Sequence, residues 1–83
     1  NIYMSSMSDA SINFLRLFSK RTTWTNVDAA RELGLPLSTI DHEIELMQSH
    51  GCLSVLRIDY PSMVRHLDLS EKGKRALIAL LAR

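Results

Sequence analysis

The chain is poor in the residues that staple, break or interrupt a fold. Its 83 residues include one cysteine, Cys52, so no intramolecular disulfide can form. That excludes a stapled secreted scaffold and fits a reducing interior, with the cytoplasm as the expected compartment. Three Gly and two Pro are too few for a disordered linker or a fibrous repeat. The longest apolar run, Ala76 to Ala82, falls well short of the roughly 18 to 20 residues that a membrane span needs, and no signal-peptide pattern precedes the first amphipathic segment. Charge of one sign is lacking too: ten Lys and Arg against nine Asp and Glu give a formal net charge of +1. Any basic surface must therefore come from local clustering. There is no nucleophile paired with a base at a familiar spacing and no glycine-rich phosphate loop, so no enzyme is expected.

What is present suits one small globular domain. With 46% hydrophobic and 23% charged residues, the chain can bury one core but not two. Residues 8–83 are expected to form that domain. Residues 1–7 are read as an N-terminal extension, with a tag remnant among its readings.

The periodicity gives an element order. Ser8 and Asp9 open a helix whose apolar residues Ile12, Phe14, Leu15 and Phe18 recur at three-to-four spacing through Lys20. "TTWT" at 22–25 is β-branched and aromatic, which predicts a brief extended segment. Thr25 is an expected N-cap with Asp28 three residues on, and Val27, Ala30 and Leu33 form a stripe that Gly34 closes. Ser38 is read as the next N-cap, with Ile40, Ile44 and Met47 as the buried face of a helix ending at Gly51. The period then changes from 3.6 to 2: Leu53 to Tyr60 and Met63 to Leu69 predict a hairpin turning at Pro61-Ser62. That turn sets Leu56 opposite Leu67, Arg57 opposite His66, and Ile58 opposite Arg65. Ser70 and Glu71 open a last helix in which Gly73 is a local weakness of about 1 kcal/mol relative to Ala. The expected fold is mainly α with a small β-hairpin, in the order α-β-α-α-β-β-α.

That order, with "TNVDAARELGLPLSTIDHEIELMQSHGCLSVL" followed by "LDLSEKGKRALIALL", resembles the winged helix-turn-helix DNA-binding family, and within it MarR-like and related small bacterial or archaeal transcriptional regulators. "AARELGLPLSTI" is similar to the family's helix-turn-helix, with Ala30 at the small position where helices cross and Gly34 at the turn. "LDLSEKGK" is similar to the Leu-Thr-x-x-Gly exit from the wing, with Ser70 in place of Thr. The resemblance covers about residues 10 to 82. It implies that Ser38 to Glu45 is a recognition helix, that the hairpin tip around Tyr60 to Met63 is a wing, and that the protein is a homodimeric transcriptional regulator bound to double-stranded DNA.

The chemistry of the recognition segment pulls against that role. Its outward positions are read as Ser38, Thr39, Asp41, His42 and Glu45, with Ser49 further on, and hydroxyls, carboxylates and imidazole can all meet base edges. Yet Asp41, Glu43 and Glu45 repel a polyanion, and the segment has no Lys or Arg. Affinity must come from Lys20, Arg21 and Arg31 and from Arg57 and Arg65 of the hairpin strands, with Tyr60 at the tip either touching DNA or packing on the domain. The alternative is a winged-helix interaction module in which the acidic helix meets a basic protein surface and DNA is not the ligand.

His42, His50, Cys52 and His66 do not follow the short fixed spacings of zinc ligands, so neither metal nor cofactor is expected. Cys52 reads as a small packing residue and Trp24 as a core aromatic. "ALIALLA" is apolar around its whole circumference. Leu77, Leu80 and Leu81 can cover the core while Ile78 and Ala82 point elsewhere, and Leu46 on the third helix also projects outward. A homodimer interface of Leu77, Ile78, Leu81 and Ala82 with Ile2 and Tyr3 is one solution, and a terminal helix seated against the first helix is the other.

Overall fold

The computed structural model of the chain describes residues 7–83; the expected interface residues Ile2 and Tyr3 lie outside them. The elements run α1 (Asp9–Leu17), β1 (Trp24–Thr25), α2 (Asn26–Leu33), α3 (Leu37–Ser49), β2 (Leu53–Asp59), β3 (Val64–Leu69) and α4 (Glu71–Leu81). This is the order that the periodicity predicts. None of the described helices is long and apolar enough to cross a membrane.

Local chemistry sets most boundaries. Ser8, Thr25 and Ser70 each accept a backbone N–H three residues on, at Ser11, Asp28 and Gly73, and so satisfy otherwise orphaned donors of α1, α2 and α4. The first helix ends sooner than expected, with Phe18 as its C-cap and a turn through Lys20. Gly34 closes α2 at φ 65°, where a side chain would be strained, and Leu35 N–H returns to the Ala30 carbonyl at 3.1 Å. The start of α3 departs from expectation. Pro36 is the N-cap, the helix begins at Leu37, and no side chain caps it. Proline fixes the entry φ without needing a donor, which places Ser38 inside the first turn instead of ahead of it.

The sheet has the order β1-β3-β2, antiparallel throughout. Arg57 faces His66 and Ile58 faces Arg65 as the turn predicts, but Val55, not Leu56, opposes Leu67. The ladder shifts between Val55 and Arg57, so Leu56 is an extra residue bulged out of the pairing and is 59% exposed. A bulge keeps the apolar alternation inward on both sides of it, at the cost of one unpaired residue.

The core joins all layers. Phe14, Leu15, Ile40, Ile44, Met47, Cys52 and Leu67 are fully buried, and Phe14 meets Phe18 edge to face with ring centroids 5.8 Å apart. Trp24 is buried and donates its ring N–H to the Leu17 carbonyl at 2.9 Å, a packing role that ties β1 to α1. On α2 the small residue buried completely is Ala29, whereas Ala30 is only half-buried. Gly73 has a tertiary reason: a Cβ there would lie 2.0 Å from the Cys52 carbonyl oxygen. The helix accepts glycine's entropic cost because α4 crosses the start of β2 at backbone contact.

Candidate nucleic-acid interface

The residues expected on the recognition helix divide into three groups once α3 is packed. Ser38, His42 and Glu45 are exposed. Thr39 and Asp41 are half-buried. Glu43, counted among three repelling carboxylates by its residue type, is 5% exposed and faces inward. Its Oε2 accepts from Ser11 Oγ at 2.5 Å, and Ser8 Oγ donates in turn to Ser11 Oγ at 3.1 Å. Leu46 is half-buried, not outward.

Asp41 is engaged by a residue that sequence reasoning passed over. Asn26, 1% exposed, sits where α2, α3 and β3 meet. Its amide nitrogen donates to Asp41 Oδ1 at 3.1 Å and to the Met63 carbonyl at 3.3 Å. Its amide oxygen accepts the backbone N–H of Arg65 at 2.9 Å and of Val27 at 3.1 Å. One buried side chain therefore fixes the hairpin against the first turns of both α2 and α3. A signal for it exists in the sequence: Asn26 is in phase with Ala29, Ala30 and Leu33, as Glu43 is with Ile40, Ile44 and Met47, so each is a polar residue on a buried stripe.

The five cations expected to supply affinity are all on the surface or near it, and four of them already have carboxylate partners. Lys20 pairs with Glu32 at 2.9 Å, and Asp28 accepts from both Arg21 at 3.3 Å and Arg31 at 3.1 Å. Arg21 also lies over the Trp24 ring at 3.8 Å. Arg21, Trp24, Asp28, Arg31 and Glu32 line an open cleft of about 360 Å³. On the hairpin, Arg57 Nε donates to Asp59 Oδ1 at 3.0 Å. Arg65 has no ion pair among the described residues. The bonds shape the acids too. Lys20 beside Glu32 holds its carboxyl below the usual range. The bond from His66 does the same for Asp59, and Arg57 adds to it.

Tyr60, 72% exposed, and Met63, 45% exposed, stand at the hairpin tip, and Leu37 at the start of α3 is 43% exposed. On α4, Leu77 is buried in the domain's own core, which leaves Ile78, Leu81 and Ala82 as the outward part of the expected interface. Among the described residues no three His, Cys, Asp or Glu side chains stand close enough together to hold a metal ion. Cys52 is fully buried and burial pushes its thiol up.

This arrangement, four described helices that include a helix-turn-helix, with a hairpin fixed beside its second helix, is a winged helix. Solved structures of similar fold include MarR family proteins. The PcaV transcriptional regulator from Streptomyces coelicolor matches with a TM-score of 0.83 at 19% identity, over 95% of this chain and 58% of that one. A MarR family regulator from Neisseria meningitidis matches with a TM-score of 0.82 at 17% identity, over 98% and 57%. FabT of Streptococcus pneumoniae in complex with DNA matches with a TM-score of 0.76 at 20% identity, over 89% and 52%. The chain thus spans little more than half the length of these structures. Its sequence matches no family model and no curated protein.

Proposed function

We propose that this domain binds double-stranded DNA as a transcriptional regulator in the cytoplasm, with α3 in the major groove and the wing on the backbone or minor groove. The observation that carries the reading is that one of the three carboxylates of α3 is turned away from its outer face and a second is held by a buried amide. Glu43 turns inward to Ser11, Asp41 is held by Asn26, and Glu45 is the carboxylate that stays exposed. Ser38, Thr39 and His42 then offer hydroxyls and an imidazole to base edges. The ion pairs of Lys20, Arg21, Arg31 and Arg57 lie at the surface, where solvent and salt screen them, so phosphate can replace their carboxylate partners. Arg65 needs no such exchange. The FabT structure contains DNA, which supports extending this ligand to a domain of the same fold. Homodimerisation is part of the proposal and rests on exposed Ile78, Leu81 and Ala82 of α4.

A salt-titrated binding experiment with random and genomic duplexes tests the reading. Binding should weaken steeply with salt, and Arg57→Ala or Arg65→Ala should each lower the salt slope by about 1 per subunit. No binding at low salt, or indifference to both arginines, would sink it. The second reading, a protein-interaction module, is favoured by Leu37, Tyr60 and Met63, three exposed apolar side chains around the start of α3 and the wing tip. It requires a partner whose capture is lost on charge reversal of Asp41 and Glu45, and tight sequence-selective DNA binding counts against it.

A further inference from the structure

The wing holds a cluster that the DNA reading does not by itself require. His66 Nε2 lies 2.9 Å from Arg57 Nη2 and also 2.9 Å from Asp59 Oδ2, while Arg57 Nε bonds to Asp59 Oδ1. A ring nitrogen cannot serve both neighbours in one protonation state. When it carries a lone pair it accepts from the guanidinium, and when it carries a proton it donates to the carboxylate. We propose that Asp59 and His66 are positioning residues that make Arg57 a proton-gated phosphate contact of the wing. The inference rests on the DNA reading above.

The gate follows from charge. With His66 neutral the cluster carries no net charge, and in the tautomer with its proton on Nδ1 the imidazole and Asp59 both accept from Arg57. With His66 protonated, the imidazolium takes Asp59 Oδ2 and can no longer accept from Arg57. Two cations now share one carboxylate, the cluster gains one positive charge, and the guanidinium turns to another anion. Arg57 is free to do so because its side chain is 66% exposed, while that of His66 is 23% exposed and stays in the sheet. Among the described residues, the charged groups bonded to the His66 ring are Arg57 and Asp59. Its register partner on β1 is Thr25, the α2 side chain that reaches β3 here is Asn26, and Asp68 two residues along β3 is bonded to the backbone N–H of Leu69.

Two measurements on the intact chain decide it. Imidazole nitrogen NMR across a pH titration should show the His66 midpoint rising in Arg57→Ala, which removes the donor to its lone pair, and falling in Asp59→Asn; unmoved midpoints in both would overturn the cluster. Duplex binding at pH 5.5 and pH 8 should be about fivefold tighter in acid for the native chain, the order expected for one added phosphate contact. His66→Gln, which keeps hydrogen bonding but cannot gain the charge, should lose that part of the difference, leaving only what other histidines contribute. Equal pH dependence in the two proteins overturns the gate alone. Absence of binding at both pH values overturns the DNA reading and the gate with it.

Discussion

The amide oxygen of Asn26 accepts the backbone N–H of Arg65 at 2.9 Å, across 39 residues of chain and inside the protein. The same side chain holds Asp41, so the wing and the recognition helix share one buried anchor. Asn26→Ala leaves the Arg65 N–H and the Met63 carbonyl without this partner and should destabilise the domain by on the order of 3 kcal/mol in urea unfolding. Asn26→Asp sets a second carboxylate against Asp41. Its deficit should shrink in acid as one of the two is protonated, whereas that of the alanine variant should not.

Gly73→Ala separates helix propensity from tertiary contact. On propensity alone the change should stabilise α4 by about 1 kcal/mol. Because the added methyl would stand 2.0 Å from the Cys52 carbonyl, it should instead destabilise by about 1 to 3 kcal/mol, the range for overpacking. A raised midpoint in chemical denaturation would mean that α4 and β2 do not meet so closely.

The Glu32 carboxyl is held down first by its bond from Lys20 and then by that cation's charge. A depressed folded-state value means that the pairing adds stability above the unfolded carboxylate value of about 4.3, and that this is lost as pH falls through the folded value. Lys20→Met should move the Glu32 carboxyl midpoint back up in a carbon-detected NMR titration while leaving that of Asp59 in place. The two carboxylates have separate partners, so a shift in both would point to a general rearrangement.

Cys52 should be chemically quiet. It is fully buried and its thiol is pushed up by burial, so the reactive thiolate is scarce and out of reach. Alkylation by iodoacetamide at neutral pH should be slow in the folded protein and fast in denaturant. Comparable rates in the two states would revive a sensing role for this cysteine.

Ser11→Ala tests the inward carboxylate. Glu43 would keep its place in the core face of α3 but lose the hydroxyl that satisfies it, a loss of about 1 to 3 kcal/mol for a buried acceptor left without its partner. The double variant with Glu43→Met should recover much of that, since an apolar residue needs no partner. Failure to recover would mean that the carboxylate has another role.

The sequence by itself determined the element order, three of the four helix caps, the hairpin and the stripes Phe14-Leu15-Phe18 and Ile40-Ile44-Met47, because these depend on neighbours within a turn or a pleat. Tertiary structure decided the rest. Whether Glu43 faces DNA or protein depends on Ser11, which lies 32 residues away. The exposure of Leu56 depends on a register shift that no local pattern marks. Pro36 displaced Ser38 as the cap of α3 because the turn from α2 enters with a proline geometry. Periodicity places Asn26 and Glu43 on buried stripes, but only the packed chain supplies the partners that make those polar residues tolerable there, and with them the charge of the face that α3 presents.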